Sequence, residues 1–330
     1  MSGQGTGTRG RRLLRSAPGY LIGAACLAWV FHDVELGPML DAARTMRWGF
    51  VALAIGFDVL SYVVQGVRWK LLLMPVGKLS WLDATQAVYA GLFANEILPM
   101  RAGEVLRGYV VGQRLHLSLP AVIPSMIVER LFDGVWLAIA LGVAATVAPL
   151  PPDLLRAGDV LGLTIVVASG LFLFVALRKP STARHGTNHV SAGSTSRVTR
   201  WIAEVRAGCQ QIGLRPGTYL ALTLSLAILI CQMLAFWLVM IAYRLDFAFW
   251  IGAVVLIIVR FGTLVPGAPA DVGTYQFFCV LGLTLFGVGK TQATGFAVVV
   301  FLVLTVPLWA IGAVAVSRTG AGLMLRARRN

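Results

Sequence analysis

The sequence predicts an all-α, polytopic membrane protein, and its composition and hydropathy lead to that fold class. Of the 330 residues, 58% are hydrophobic and only 13% are charged, whereas soluble domains use about 45–50% apolar and about 25% charged residues. The mean hydropathy is +0.80. The apolar residues fall into runs close to the roughly 20 residues that a helix needs to cross a bilayer. We therefore expect a bundle of membrane-spanning helices.

The apolar runs predict about eight spans. They lie near residues 18–36, 47–69, 120–149, 158–178, 218–243, 247–265, 273–289 and 293–316.

Residues 81–98 are apolar but too short and too polar for a comfortable crossing. Basic residues flank this segment at 66–78 and at 101–114, and the positive-inside rule assigns both flanks to the cytoplasm. A segment that enters the membrane and returns on the same side satisfies both flanks. We therefore predict that 81–98 is re-entrant.

The chain is expected to consist of two membrane halves joined by a linker. The linker is rich in Ser, Thr and Gly and cannot bury enough apolar surface to order itself. Both termini are expected to be cytoplasmic. The predicted parts are a basic tail at 1–17, a first half at 18–178, a cytoplasmic linker at 179–217, a second half at 218–316 and a basic tail at 317–330.

The charge pattern argues against nucleic acid as a partner. The net charge is +14, but the basic residues collect in the two tails and the linker, as membrane topology and contact with anionic lipid require. The 4 cysteines lack CxxC spacing, which supports neither disulfides nor a zinc site. We expect no metal and no cofactor.

An apolar run stopped by proline occurs once in each half. The first is ILPMRAGE at 97–104, with Pro99 and Gly103. The second is LVPGAPADVG at 264–273, and its supporting residues are Pro266, Gly267, Asp271 and Gly273. Broken helices at corresponding positions of two halves indicate a binding site near the membrane midplane in transporters with inverted repeats. We therefore predict a two-fold inverted repeat.

A polar stripe runs along the second predicted span. Asp58, Ser61, Tyr62, Gln65 and Trp69 share one face at helical spacing. The stripe predicts either a hydrogen-bonded seam between helices or the wall of a hydrophilic cavity. Alone, Arg68 and Lys70 would fit an interfacial anchor.

Two further sets of charges lie deep in predicted spans, where each ionisable group costs about 2.5–3.5 kcal/mol. Glu129, Arg130 and Asp133 form a compact cluster, interpreted either as an internal salt bridge or as a polar site for substrate passage. Arg260 ends an unbroken apolar run six positions before Pro266. It therefore needs an anionic partner, either a carboxylate or a lipid phosphate.

The stretch around the first break predicts an anion site. Asn95 can cap or line the broken helix end, and the helix after the break begins with unpaired amides. Those amides, with Arg101 and Arg107, suit a phosphate, and Glu104 can orient the arginines. A purely structural ion-pair elbow is the alternative.

These motifs resemble the flippase-like membrane domain of the lysylphosphatidylglycerol synthase family over roughly residues 19–316. The matching motifs are RWKLLL (68–73), NEILPMRAGEVLR (95–107), ERLFDG (129–134) and PGAPADVGTYQ (266–276). The family usually has glutamate where this chain has Gln276. The resemblance implies a multi-pass protein of the bacterial inner membrane that moves or presents polar lipids. Members with two functions add an aminoacyl transferase domain; we do not expect aminoacyl transfer here, since Val316 is followed by SRTGAGLMLRARRN.

Three functions remain open at this point. The first is a flippase or transporter of a polar or anionic lipid, with an aminoacyl, glycosyl or isoprenoid-phosphate head group. The second is an integral-membrane enzyme acting on a lipid-linked sugar or phosphate, although no catalytic constellation is found. The third is a non-catalytic partner of a glycosyltransferase. Membrane lipids are the expected partners, and the sequence is compatible with a homodimer.

The transport hypothesis assigns the head group to one water-accessible cavity between the halves. The cavity is predicted from Arg101, Glu104, Glu129, Arg130, Asp133 and Arg260, and the full head-group set adds Asn95 and Arg107. The supporting residues are Asp58, Gln65, Arg68, Pro99, Gly103, Pro266, Gly267, Asp271, Gly273 and Gln276.

Overall fold

The computed structural model describes residues 6–98, 102–148, 150–177, 197–213, 215–264 and 268–327, and these residues are helical with no strand. The helices are α1 (Thr6–Phe31), α2 (Leu36–Arg44), α3 (Trp48–Leu73), α4 (Trp81–Ile97), α5 (Gly103–Leu115), α6 (Leu119–Val147), α7 (Pro152–Leu177), α8 (Arg197–Ile212), α9 (Pro216–Ala242), α10 (Phe249–Gly262), α11 (Thr274–Thr284) and α12 (Lys290–Ala327). A single 3₁₀ turn lies at Pro269–Asp271.

The all-α membrane bundle predicted from the sequence is confirmed. Within the described chain, four helices are long and apolar enough to cross a membrane, at 48–73, 152–175, 216–242 and 290–319. Residues 179–196 and 214 of the predicted linker lie outside the described residues, and Arg197–Ile212 form α8.

Helices α4 and α5 form an antiparallel hairpin. Asp83, in the first turn of α4, forms an ion pair with Arg114, in the last turn of α5. Nearer the tip, a Cβ added to Gly91 would lie 2.8 Å from Cβ of Arg107. The hairpin therefore starts and ends at one end of the bundle, which is the geometry that a re-entrant segment needs. Re-entry itself stays a prediction.

Helices α10 and α11 form a second antiparallel hairpin. Trp250 and Phe286 pack edge to face with ring centroids 5.6 Å apart, and Gly262 faces the ring of Phe278. The structure differs here from the prediction of separate spans at 247–265 and 273–289. The two helices have 14 and 11 residues, about 21 and 16 Å at ~1.5 Å per residue, which is too short for each to cross a bilayer of about 30 Å.

The two hairpins enter the bundle from opposite ends. Helices α3 and α9, which precede them, are antiparallel: the amide of Arg47 donates to the carbonyl of Ala242 at 3.0 Å, and Arg68 donates to Ser225 at 2.7 Å. The 3₁₀ turn in the second break packs against α4 of the first hairpin. The tips therefore meet inside the bundle, as an inverted repeat requires.

We call the end with residues 74–80 and 116–118 the linker end, and the end with residues 32–35 and 243–248 the far end. Helix α1 reaches the far end, where Lys290 donates to the carbonyl of His32 at 2.8 Å. Helix α12 starts there and runs back. The first and last described residues consequently lie toward the linker end, together with α8.

We expect the entry sides of the hairpins to be measurable by cysteine labelling in a chain whose 4 cysteines are replaced. Lys78→Cys and Gln113→Cys flank the first hairpin and should react with an impermeant maleimide from one side. Ala248→Cys and Gly289→Cys flank the second and should react from the other side. Opposite labelling within either pair would contradict the hairpin geometry.

The turn of the first hairpin depends on a glycine. A Cβ at Gly103 would lie 1.9 Å from the carbonyl oxygen of Gly91, so Gly103→Ala must push two backbones apart. We expect it to lower the free energy of unfolding in detergent by about 1–3 kcal/mol, as overpacking does. Gly49→Ala, where a Cβ meets nothing within 4 Å, is the control and should not be destabilised. Equal stability of both variants would contradict the close approach.

Candidate functional site

The charged residues of the first half form one ion-pair network across several helices. Glu129 of α6, fully buried, is its centre. It accepts from Nη2 of Arg68 at 2.6 Å and from Nη2 of Arg107 at 2.6 Å. Gln65 also donates to it at 3.4 Å. One carboxylate therefore joins α3, α5 and α6.

The network continues on both sides of Glu129. Arg68 also forms an ion pair with Asp133, and Arg107 forms one with Glu104 at 3.1 Å. Glu104 in turn pairs with Arg130, whose side chain is 48% exposed. We call Arg68, Glu104, Arg107, Glu129, Arg130 and Asp133 the ion-pair network. Arg68 and Glu129 at its centre are buried, whereas Glu104 and Arg130 at its edge reach the surface.

The network is electrically balanced, with three arginines and three carboxylates. The guanidinium of Arg107 lies 4.4 Å from the ring centroid of Trp69, and Trp69 donates to Ser125 at 3.0 Å. Buried charges that are mutually paired can be tolerated where single charges cannot. The contacts of Arg68, Arg107 and Glu129 are thus those of an internal salt bridge.

Two predictions for this region need correction. Arg68 is fully buried, so it is not an interfacial anchor; its pairing with residues more than sixty positions away was not visible in the sequence. Arg107 is 3% exposed and held by carboxylates. Of the two predicted roles for Arg107, phosphate ligand or structural elbow, the described contacts match the elbow.

A second polar centre lies where the two hairpin tips meet. Asp58 of α3 is 4% exposed, and its Oδ2 has no hydrogen-bond partner among the described residues. Arg260 of α10 lies within electrostatic range of Asp58, Tyr62 and Tyr275. Tyr62 and Tyr89 stack edge to face at 5.6 Å. We call these five residues the tip centre.

The tip centre is deep in the bundle. Asp58 follows the start of α3 by ten residues and Arg260 follows the start of α10 by eleven. Both helices start at the far end, so each residue lies about 15 Å along its helix at ~1.5 Å per residue. That is about half of a ~30 Å hydrocarbon core. Arg260 is nevertheless exposed.

Side-chain amides cap the returning helix of each hairpin. Asn95 accepts from the amide of Gly103 at 2.8 Å, which confirms its predicted capping role. Gln276 accepts from the amide of Gly273 at 2.7 Å. Gly273 has φ +92°, and a Cβ there would lie 2.1 Å from the carbonyl oxygen of Gly23 in α1. Each cap uses an amide that would otherwise be available to an anion.

The structure brings together part of the predicted head-group set. Glu104, Arg107, Glu129, Arg130 and Asp133 share the ion-pair network, with Arg68 and Gln65 from the supporting set. Arg260 and Asp58 lie in the tip centre instead. No ion pair links Arg260 to a described carboxylate, and Asp58 and Arg68 are ten residues, about 15 Å, apart on α3. The described charges thus form two centres rather than one.

Some predicted residues are not described or lie beside the tips. Pro99, Arg101, Pro266 and Gly267 lie outside the described residues. Asp271 is part of the 3₁₀ turn, half-buried and near Glu96, which accepts from Trp309 at 3.3 Å. The sequence analysis did not predict Tyr89 and Tyr275 as site residues. Each is a tyrosine in an apolar segment beside a broken helix, and that position could have indicated them.

Similarity to known proteins identifies the family of this chain. The family described as the lysylphosphatidylglycerol synthase TM region matches residues 17–312. The chain belongs to this family. It is also similar to glycosyltransferase AglD of Haloferax volcanii, with 34% identity over 136 residues. That match covers 39% of this chain and spans only 22% of the length of the glycosyltransferase.

We expect the ion-pair network of this protein to be essential for its stability. Glu129→Gln leaves three arginines facing two carboxylates in a buried site, so the free energy of unfolding should fall by about 3–5 kcal/mol. The measurement is SDS titration in mixed micelles. Asp153→Asn, which breaks an exposed pair with Arg156, is the control and should change stability by about 0–1 kcal/mol. Equal losses would contradict a structural role for the network.

Proposed function

We propose that this membrane protein moves a lipid with an anionic, phosphate-bearing head group between leaflets, and that the tip centre receives the phosphate. The observation that carries the proposal is the exposed side chain of Arg260 halfway along the bundle, where two broken hairpins meet. The acyl or isoprenoid tails would remain in the bilayer.

The chemistry of Arg260 favours a phosphate. An arginine at this depth is costly unless an anion pairs with it, and no described carboxylate forms an ion pair with it. Its planar guanidinium offers a fork of donors that matches phosphate oxygens. A lipid phosphate would supply the missing counter-charge in the binding geometry for which arginine is best suited.

The hairpin arrangement favours transport between the two sides. Each tip is reached from one end of the bundle only, so movement of one hairpin against its half would open the tip centre to that end. Transporters built from inverted repeats alternate access around a midplane site in this way. In this proposal the ion-pair network holds α5 of the first hairpin against α3 and α6, and the second hairpin moves.

A second candidate follows from the similarity to a glycosyltransferase. In that candidate the protein presents a lipid-linked sugar to a glycosyltransferase, or acts on such a lipid itself. Among the described residues, the ion-pair network and the tip centre contain no nucleophile activated by an adjacent base. Catalysis on the lipid therefore has less support than transport of the lipid. A homodimer is compatible with either candidate.

The proposed location is the bacterial inner membrane with both termini in the cytoplasm. Lys78, Arg114 and Arg215 lie at the linker end, whereas at the far end Asp33, Glu35 and Asp246 offset the charges of Arg47, Arg244 and Lys290. The excess of basic residues at the linker end makes it the cytoplasmic end under the positive-inside rule.

The test is leaflet exchange in liposomes with purified protein and tail-labelled probes: phosphatidylglycerol, lysylphosphatidylglycerol, polyprenyl phosphate and a glycosylated polyprenyl phosphate. Arg260→Lys keeps the charge but loses the fork. Since a hydrogen bond to a charged group contributes about 1.5–3 kcal/mol, exchange should slow roughly 10- to 100-fold. Arg260→Gln should abolish it.

The matched control is Arg156→Gln, which changes an exposed arginine of α7 and should leave exchange unchanged. Thin-layer analysis of the recovered probes separates transport from catalysis. Chemical conversion of a probe would favour the enzyme. Exchange of no probe by the parent protein, or normal exchange by Arg260→Gln, would contradict the proposal.

A further inference from the structure

The tip centre contains a buried carboxylate with an incomplete set of partners. Asp58 is 4% exposed. The hydroxyl of Ser61 donates to the backbone carbonyl of Asp58 at 2.7 Å, not to its carboxylate, and Oδ2 of Asp58 has no hydrogen-bond partner among the described residues. A buried carboxylate without donors is costly when ionised. It can therefore ionise only where a nearby cation offsets that cost.

The titratable and charged groups within electrostatic range of Asp58 come from four elements. Tyr62 lies one turn further along α3, Tyr89 lies on α4, Arg260 on α10 and Tyr275 on α11. Glu96 of α4 and Cys279 of α11 are neighbours of these tyrosines. The hydroxyl of Tyr89 is itself buried without a described partner. Arg260 is the cation of this set, and its charge is what favours ionised Asp58.

Arg260 is also the residue to which the proposed function assigns the lipid phosphate. When phosphate binds, two anions share one guanidinium, and one of them is the buried carboxylate of Asp58. Like charges in such a site disfavour double ionisation, as they do for paired carboxylates. The phosphate ester of a phosphodiester lipid keeps its charge across the working pH range, so the carboxylate of Asp58 is the group that becomes neutral.

We propose that Asp58 is a proton-binding site coupled to the lipid: it takes up one proton when a lipid phosphate binds Arg260 and releases it when the lipid leaves. The step is an acid–base equilibrium in which water supplies the proton and the carboxylate becomes a carboxylic acid. The acid then offers its O–H to the phosphate, which gives the unpartnered oxygen a hydrogen bond. A proton gradient would consequently bias the direction of lipid movement. The inference rests on the proposed function.

The first experiment measures proton uptake on binding. Dioctanoyl phosphatidylglycerol, a phosphodiester, is titrated calorimetrically into the protein in detergent, in buffers that differ in ionisation enthalpy. The parent protein should take up protons on binding, at most one per bound lipid, and its affinity should rise by up to about tenfold for each unit that the pH falls. Asp58→Asn mimics the protonated acid, so it should bind with no proton uptake and no pH dependence.

Two further variants make the result specific to Asp58. Asp58→Glu keeps a titratable carboxyl and should restore proton uptake. Asp153→Asn, an exposed carboxylate outside the tip centre, should behave as the parent protein does. Proton uptake that persists in Asp58→Asn would overturn the proposal. A pH-independent affinity that instead follows the sodium concentration would identify sodium as the coupled ion and overturn it too.

The second experiment uses the liposome exchange assay with an imposed pH gradient. The parent protein should accumulate the labelled probe in one leaflet, whereas Asp58→Asn should only equilibrate it. Exchange by the parent protein that ignores the gradient would refute proton coupling and leave the proposed function intact. Absence of exchange in the parent protein under any gradient would refute the proposed function, and with it this inference.

Discussion

The fold depends on the need to neutralise charge away from water, and Glu129 is the residue through which this is achieved in the first half. It is fully buried and binds Arg68 and Arg107 at 2.6 Å each. These contacts fix the rotation of α3, α5 and α6 about their own axes, because each side chain must reach the same point. Apolar packing alone would fix those rotations less strictly, since one apolar side chain substitutes readily for another.

The same constraint explains why hairpins occur next to long helices. A broken helix leaves unpaired backbone amides and carbonyls, which lipid cannot satisfy. Here described residues beside the breaks contact other protein, with α1 against Gly273 and the 3₁₀ turn against α4. Asn95 and Gln276 then satisfy the first amides of α5 and the turn before α11. The described backbone that follows each break is therefore capped and packed against protein.

Much of the fold could be predicted from the sequence because hydropathy and proline reveal helices and their ends. The span at 48–73, the short helix at 81–97 and the cap by Asn95 are examples. The second hairpin was not predicted, since its residues are as apolar as those of a true span. Hydropathy measures preference for lipid, but not whether a chain crosses or folds back.

The site could be predicted only in part, for a related reason. Glu129, Arg130 and Asp133 are neighbours in sequence, so their grouping follows from helical spacing. The partners Arg68 and Arg107 come from other helices, and the rotation and register of those helices decide whether they meet. Arg68 therefore seemed an interfacial residue although it is the most enclosed cation of the network. Gln276 seemed a departure from the family pattern, whereas in this chain its amide caps Gly273.

The ion-pair network and the tip centre differ in how completely their charges are paired, and this difference indicates different roles. In the ion-pair network the arginines and carboxylates balance and bind one another, so an incoming phosphate would have to displace an existing carboxylate. In the tip centre Arg260 is exposed and has no ion pair with a described carboxylate, while Asp58 is enclosed and its Oδ2 has no hydrogen-bond partner among the described residues. Charge that is already paired stabilises a bundle, whereas incompletely paired charge at the junction of the two hairpins can accept a new partner. That difference in pairing, rather than the number of charges, makes the tip centre the better candidate for binding a lipid head group.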